Sequence, residues 1–156
     1  MAEIPEPSYA EALVEARRGF DQLAGEVEAI RGRAVALLGA GGLAAAFIGG
    51  LSIRDGAAVS GWTWTAVGAF GAMAVLAVAV LLPRRFHVSQ DPASIVMWAD
   101  HYGAPKDKIE RDLALWLGKK YDDNRRTVDR LGGTCAASAV LFLIEIAALV
   151  LDLMTR

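Results

Sequence analysis

The 156 residues are 54 % hydrophobic and 22 % charged, with a mean hydropathy of +0.36 and a formal net charge of −2. That apolar share exceeds the roughly 45–50 % of soluble domains, so apolar and charged residues must be segregated along the chain. The balance carries no nucleic-acid signal, the single Cys135 excludes an internal disulfide or a cysteine zinc cluster, and His87 and His101 are too few for a metal site without carboxylate help.

Residues 1–7, MAEIPEP, read as a frayed polar end, and the first thirty residues lack the short apolar core of a signal peptide. Ser8 is placed to cap a helix, with Glu11 at the matching capping-box position. From there an apolar stripe runs Tyr9, Leu13, Ala16, Phe20, Leu23, Val27, Ile30, Ala34. Its alternating spacing of four and three is the heptad pattern of a helix packed along one seam. Glu11, Glu15, Arg17, Arg18, Asp21, Glu26, Glu28 and Arg31 occupy the other faces. Residues 1–33 are therefore expected to form an amphipathic, coiled-coil-like helix that packs on a partner.

The pattern changes after Arg33. Residues 34–53, AVALLGAGGLAAAFIGGLSI, hold no charge for twenty positions. At about 1.5 Å per residue that length crosses about 30 Å of hydrocarbon. A short polar link over 54–61 follows, and then a second uncharged run over 62–82, WTWTAVGAFGAMAVLAVAVLL, which Pro83, Arg84 and Arg85 end. A third run covers 133–151, interrupted only by Glu145, and the span is drawn to 152 with a tail of 153–156.

Between the second and third runs, 83–132 is charged. Asp91-Pro92 pairs a capping Asp with Pro at the first helical position, predicting a helix over about 92–101 that stops near Gly103. Pro105 opens another, on which Ile109, Leu113, Trp116, Leu117, Tyr121, Val128 and Leu131 share a face leading toward the third run. No alternating strand pattern occurs.

A soluble bundle would show a polar face on each apolar helix and shorter apolar runs. The charges are also sorted. Fourteen of the sixteen Lys and Arg lie in 1–33 and 83–132, against one in the link and one in the tail. By the positive-inside tendency those two segments are cytoplasmic, and the link and C-terminus face outward. Trp62 and Trp64 then sit at the outer interface, where amphipathic rings are favoured. The expected architecture is an all-α integral membrane protein: three transmembrane helices with cytoplasmic amphipathic helices extending from the bundle. Twelve Arg against four Lys, with abundant Ala and Gly, read as a GC-rich bacterial source, hence the inner membrane. Gly39, Gly41 and Ala44 mimic a dinucleotide fingerprint, but no strand precedes them and no parallel-strand pattern follows.

Glu145 is the most informative residue. A carboxylate near mid-span costs a few kcal/mol unless it is paired, protonated or wetted. Ser138, Glu145 and Asp152 are seven apart and share a helix face. They could line a pore or a proton-linked gate formed by several copies, or Glu145 could bond a neighbouring helix or lie near the outer interface. Gly42, Ala46 and Gly50 form a small-xxx-small ridge in the first run, and Gly68 and Ala72 another in the second. Such ridges serve packing within the chain or contact between subunits. In the charged segment Arg84, Arg85, Trp98, His101, Tyr102 and Lys106 combine aromatic and cationic groups that could hold a nucleotide, or could be membrane anchors and core fillers. No catalytic constellation, metal spacing or cofactor motif stands out, so no enzyme is expected.

The layout of an amphipathic helix entering two close membrane runs, then a charged helical segment leading into NRRTVDRLGGTCAASAVLFLIEIAALV, resembles small bacterial membrane effectors of anti-phage systems, of the Pycsar transmembrane and SLATT types. The resemblance is architectural and covers about residues 8–152. It implies a homo-oligomer that senses a nucleotide signal, or a partner that makes one, and disrupts the membrane. Two-span members of those families differ from the three spans here, and no site residue is carried over. The expected function is thus a homo-oligomeric membrane effector or channel-like protein. The alternative is a membrane anchor or accessory subunit that docks a cytoplasmic partner through Tyr9, Leu13, Phe20, Leu23, Val27 and Ile30.

Overall fold

The computed structural model describes residues 9–54, 60–83, 93, 95–97, 100, 103 and 105–155, with the side chains of 47–49 and 51–54 outside the description. Three long helices carry the fold: α1 (Tyr9–Arg54), α2 (Gly61–Leu81) and α3 (Lys106–Met154). No strand occurs among the described residues. All three helices are long and apolar enough to cross a membrane.

Breakers explain the boundaries. Of the five prolines, the two described, Pro83 and Pro105, fall outside the helices. With none between Pro7 and Pro83, the charged heptad segment and the first apolar run form one uninterrupted helix. Ser60 caps α2, its hydroxyl accepting from the Thr63 amide at 3.2 Å. At the other end Leu82 turns extended ahead of Pro83, its amide still donating to the Val78 carbonyl. Within the helix expected over about 92–101, Ala93, residues 95–97 and Asp100 are helical. Gly103 is not helical and has φ +54°, a conformation that costs other residues a clash at Cβ. The Pro105 carbonyl then accepts from the amides of Lys108 and Ile109, starting α3.

The chain divides into two compact units, Met1–Glu26 with Arg84–Val128, and Val27–Pro83 with Asp129–Arg156. In the first unit α1 and α3 run parallel: Phe20 meets Tyr121 and Glu26 meets Arg125. The Phe20 and Tyr121 rings stand edge to face, 6.2 Å apart at 82°. Gly19 lets Tyr121 lie close, since a Cβ there would come within 3.1 Å of its ring. The Arg125 guanidinium donates to both oxygens of Glu26 at 3.1 Å.

In the second unit α1 and α3 again run parallel and α2 returns between their ends. Ile30 packs on Gly132, and the Cys135 thiol donates to the Ile30 carbonyl at 3.8 Å. Farther along, Gly41 sits against Glu145, Met73 and Phe70, while Ala66 clusters with Ala148, Leu149 and Ala44. At the far end Ser60 and Thr63 meet Asp152. The face that α2 buries is Ala66, Ala69, Met73, Ala77 and Val80, mostly small side chains that let helix backbones approach. The α1 stripe of alternating fours and threes does not end at the charged segment. Ala34 and Gly41 continue it as buried positions.

Candidate functional site

The chemistry-bearing residues of the second unit gather on one face of α3. Ser138, Glu145 and Asp152 are 0 %, 1 % and 1 % exposed. Seven-residue spacing stacks them along a slowly drifting line, and the structure turns that line inward onto α1 and α2.

Each member has a different environment. The Ser138 hydroxyl donates to the Thr134 carbonyl one turn back, at 3.1 Å. Asp152 lies over the first turn of α2, where one carboxylate oxygen accepts from the Ser60 hydroxyl and from Thr63 Oγ1 at 3.1 Å. The positive end of a helix dipole favours a carboxylate there. Glu145 has no such support. Neither carboxylate oxygen has a hydrogen-bond partner among the described residues. Gly41 makes the space that holds it: a Cβ at that position would lie 2.6 Å from Met73 Cε, 3.0 Å from Glu145 Oε2 and 3.3 Å from Phe70 Cδ2. Around the stripe the unit is turned inside out. Leu43, Val75 and Leu143 are 75 %, 70 % and 65 % exposed, while the polar groups are enclosed. Water would favour the reverse distribution.

The other expected site residues fall as follows. Of the seam, Tyr9 and Leu13 are half-buried, and Phe20, Leu23, Val27 and Ile30 are buried. The partner that the heptad spacing requires is, at Phe20 and at Ile30, this chain's own α3. Among the described residues nothing packs closely on the small-residue ridges. A Cβ at Gly42, Gly50 or Gly68 would meet nothing within 4 Å, and Ala46 and Ala72 are exposed. Arg84, Arg85, Trp98, His101 and Tyr102 lie outside the described residues. Lys106 is exposed and pairs with Glu110 one turn on, at 3.6 Å. Trp62 and Trp64 are exposed at the start of α2. Among the described residues no group of His, Cys, Asp or Glu could hold a metal ion.

Sequence reasoning missed three members of the site. Gly41 passed as part of a dinucleotide-like pattern, although the heptad count from Ala34 lands on it. Ser60 and Thr63 read as link and span residues, although S-x-x-T ahead of an apolar run is a capping signal. Their pairing with Asp152, about ninety residues away, had no local signature. No family model matches the chain, and neither a curated protein nor a solved structure matches it.

Proposed function

We propose that this chain is a homo-oligomeric membrane effector or channel-like protein of the bacterial inner membrane. One observation carries the reading: the second unit encloses Ser138, Glu145 and Asp152 and presents Leu43, Val75 and Leu143 outward. An apolar jacket suits acyl chains, and an intramembrane carboxyl turned to the interior of a helix bundle is a mark of proton and ion pathways or switches. Leaving Glu145 there without a hydrogen bond costs about 3 kcal/mol on insertion scales. A resting state that carries this cost is disposed to rearrange toward one in which the carboxyl finds water, a cation or a donor. In this reading the charged unit is cytoplasmic and receives a signal, a nucleotide or a partner protein, and the membrane helices shift in response. The C-terminus faces outward, in keeping with the fourteen-to-two sorting of Lys and Arg. The outward ridge at Gly42, Ala46 and Gly50 is available for contact between copies.

The anchor alternative has less support, because Phe20 and Ile30 of its docking seam are each already covered by α3. The test is expression in bacteria with a membrane-potential dye. Wild type should depolarise the cells when the signal is present. Glu145→Leu should assemble to the same detergent-solubilised mass and leave the potential intact. Equal depolarisation by that variant would remove Glu145 from the mechanism.

A further inference from the structure

A second feature of the membrane-facing unit is a groove of about 530 Å³ on α1 and α3, lined by Ile30, Arg33, Ala40, Gly132, Ala136 and Ala139 among others. That size falls within the roughly 300–1,000 Å³ of sites that hold small organic ligands. Its walls are apolar and mostly of small residues. Arg33 is the one charged residue on it. Arg33 is exposed, and it makes no ion pair or side-chain hydrogen bond among the described residues.

Two measures choose the occupant. The groove runs along α1 from Ile30 to Ala40. The part beyond Arg33, inside the uncharged run, is about 10 Å at about 1.5 Å per residue, a third of a hydrocarbon core of about 30 Å. A transmembrane helix from a second copy would need a seat across both leaflets, whereas a lipid tail needs one. Charge makes the same choice. Arg33 immediately precedes the uncharged run 34–53, so it stands at the polar edge of the groove. The fully uncharged α2 of another copy would leave that cation without a counter-ion. A phosphate would supply one, and guanidinium binds phosphate through two parallel hydrogen bonds.

The geometry points to a binding site for one anionic phospholipid of the inner leaflet, its tail in the α1–α3 groove and its phosphate on Arg33. This rests on the membrane reading above. The site anchors the cytoplasmic ends of the membrane spans within α1 and α3 to a negatively charged leaflet, which attracts cationic side chains at its surface.

The test uses the full chain in nanodiscs of equal phosphatidylcholine and phosphatidylglycerol, then gentle detergent release and lipid counting by native mass spectrometry. Wild type should retain phosphatidylglycerol over phosphatidylcholine by about fivefold, the ratio expected for one interfacial cation. Arg33→Gln should keep a lipid but lose the preference, and Arg33→Lys should keep most of it. Ala136→Leu, which fills the groove, should lose both lipids. Retained preference in Arg33→Gln, unchanged lipid count in Ala136→Leu, or no preference in wild type would each overturn the site. So would a change in oligomer mass in Ala136→Leu with lipid unaffected, which would seat a second copy in the groove. A wild-type chain that enters nanodiscs without lipid preference defeats this site alone. One that stays folded in water defeats the membrane reading with it.

Discussion

Gly41 and Glu145 are coupled through contact, and a double-mutant cycle measures that coupling. A methyl added at Gly41 meets the end of Met73, which can swing aside, and Glu145 Oε2 at 3.0 Å, which has little room to move. Gly41→Ala should lower stability in detergent by about 1–3 kcal/mol, the usual range for overpacking a core. In a Glu145→Ala background the same change should cost less, with an interaction energy on the order of 0.5–3 kcal/mol. Thermal unfolding of the four proteins measures it, and strict additivity would mean that the two residues do not share a site. At this scale the polar stripe itself was legible, because seven-residue spacing on a helix needs no tertiary information. The cavity that receives it was not. A glycine is written the same way whether its missing Cβ would meet open space, as at Gly42, or a carboxyl, as at Gly41, and only the neighbouring helix distinguishes them.

At the scale of elements, the long helices were readable from charge-free length, from the positions of proline and from the heptad stripe. Register across helices was not, because apolar contact is non-directional and three runs of similar hydrophobicity offer many pairings. The pairing observed in the charged unit makes a prediction. Phe20→Ala removes the ring that meets Tyr121 and should cost about 3–5 kcal/mol, the range for a buried aromatic. Hydrogen exchange should show loss of protection along Tyr9–Glu26. Glu26→Gln, by contrast, breaks an ion pair whose side chains are 45 % and 44 % exposed. It should cost under about 1 kcal/mol, and less still in high salt. A large effect of Glu26→Gln together with a small one of Phe20→Ala would invert this ordering and refute it.

At the scale of the molecule, parallel α1 and α3 with α2 antiparallel to both require that an inserted chain has its two ends on opposite sides of the bilayer. In a Cys135→Ser background, a cysteine placed at exposed Ala24 should react with a membrane-impermeant maleimide only after cells are opened. One placed at exposed Thr155 should react in intact, outer-membrane-permeabilised cells. Labelling of both positions from one side would contradict three spans.

The inward placement of Glu145 and Asp152 also bears on how such a protein is made. Synthesis runs from the N-terminus, so α3, the helix that carries both carboxyl groups, leaves the ribosome after α1 and α2. A carboxyl near the middle of a span costs a few kcal/mol in lipid unless it is enclosed. In an inserted chain the space beside Gly41 and the hydroxyls of Ser60 and Thr63 would by then be in place to receive it. Under the proposed membrane reading, the order of the helices along the gene would make the first two a template for the third.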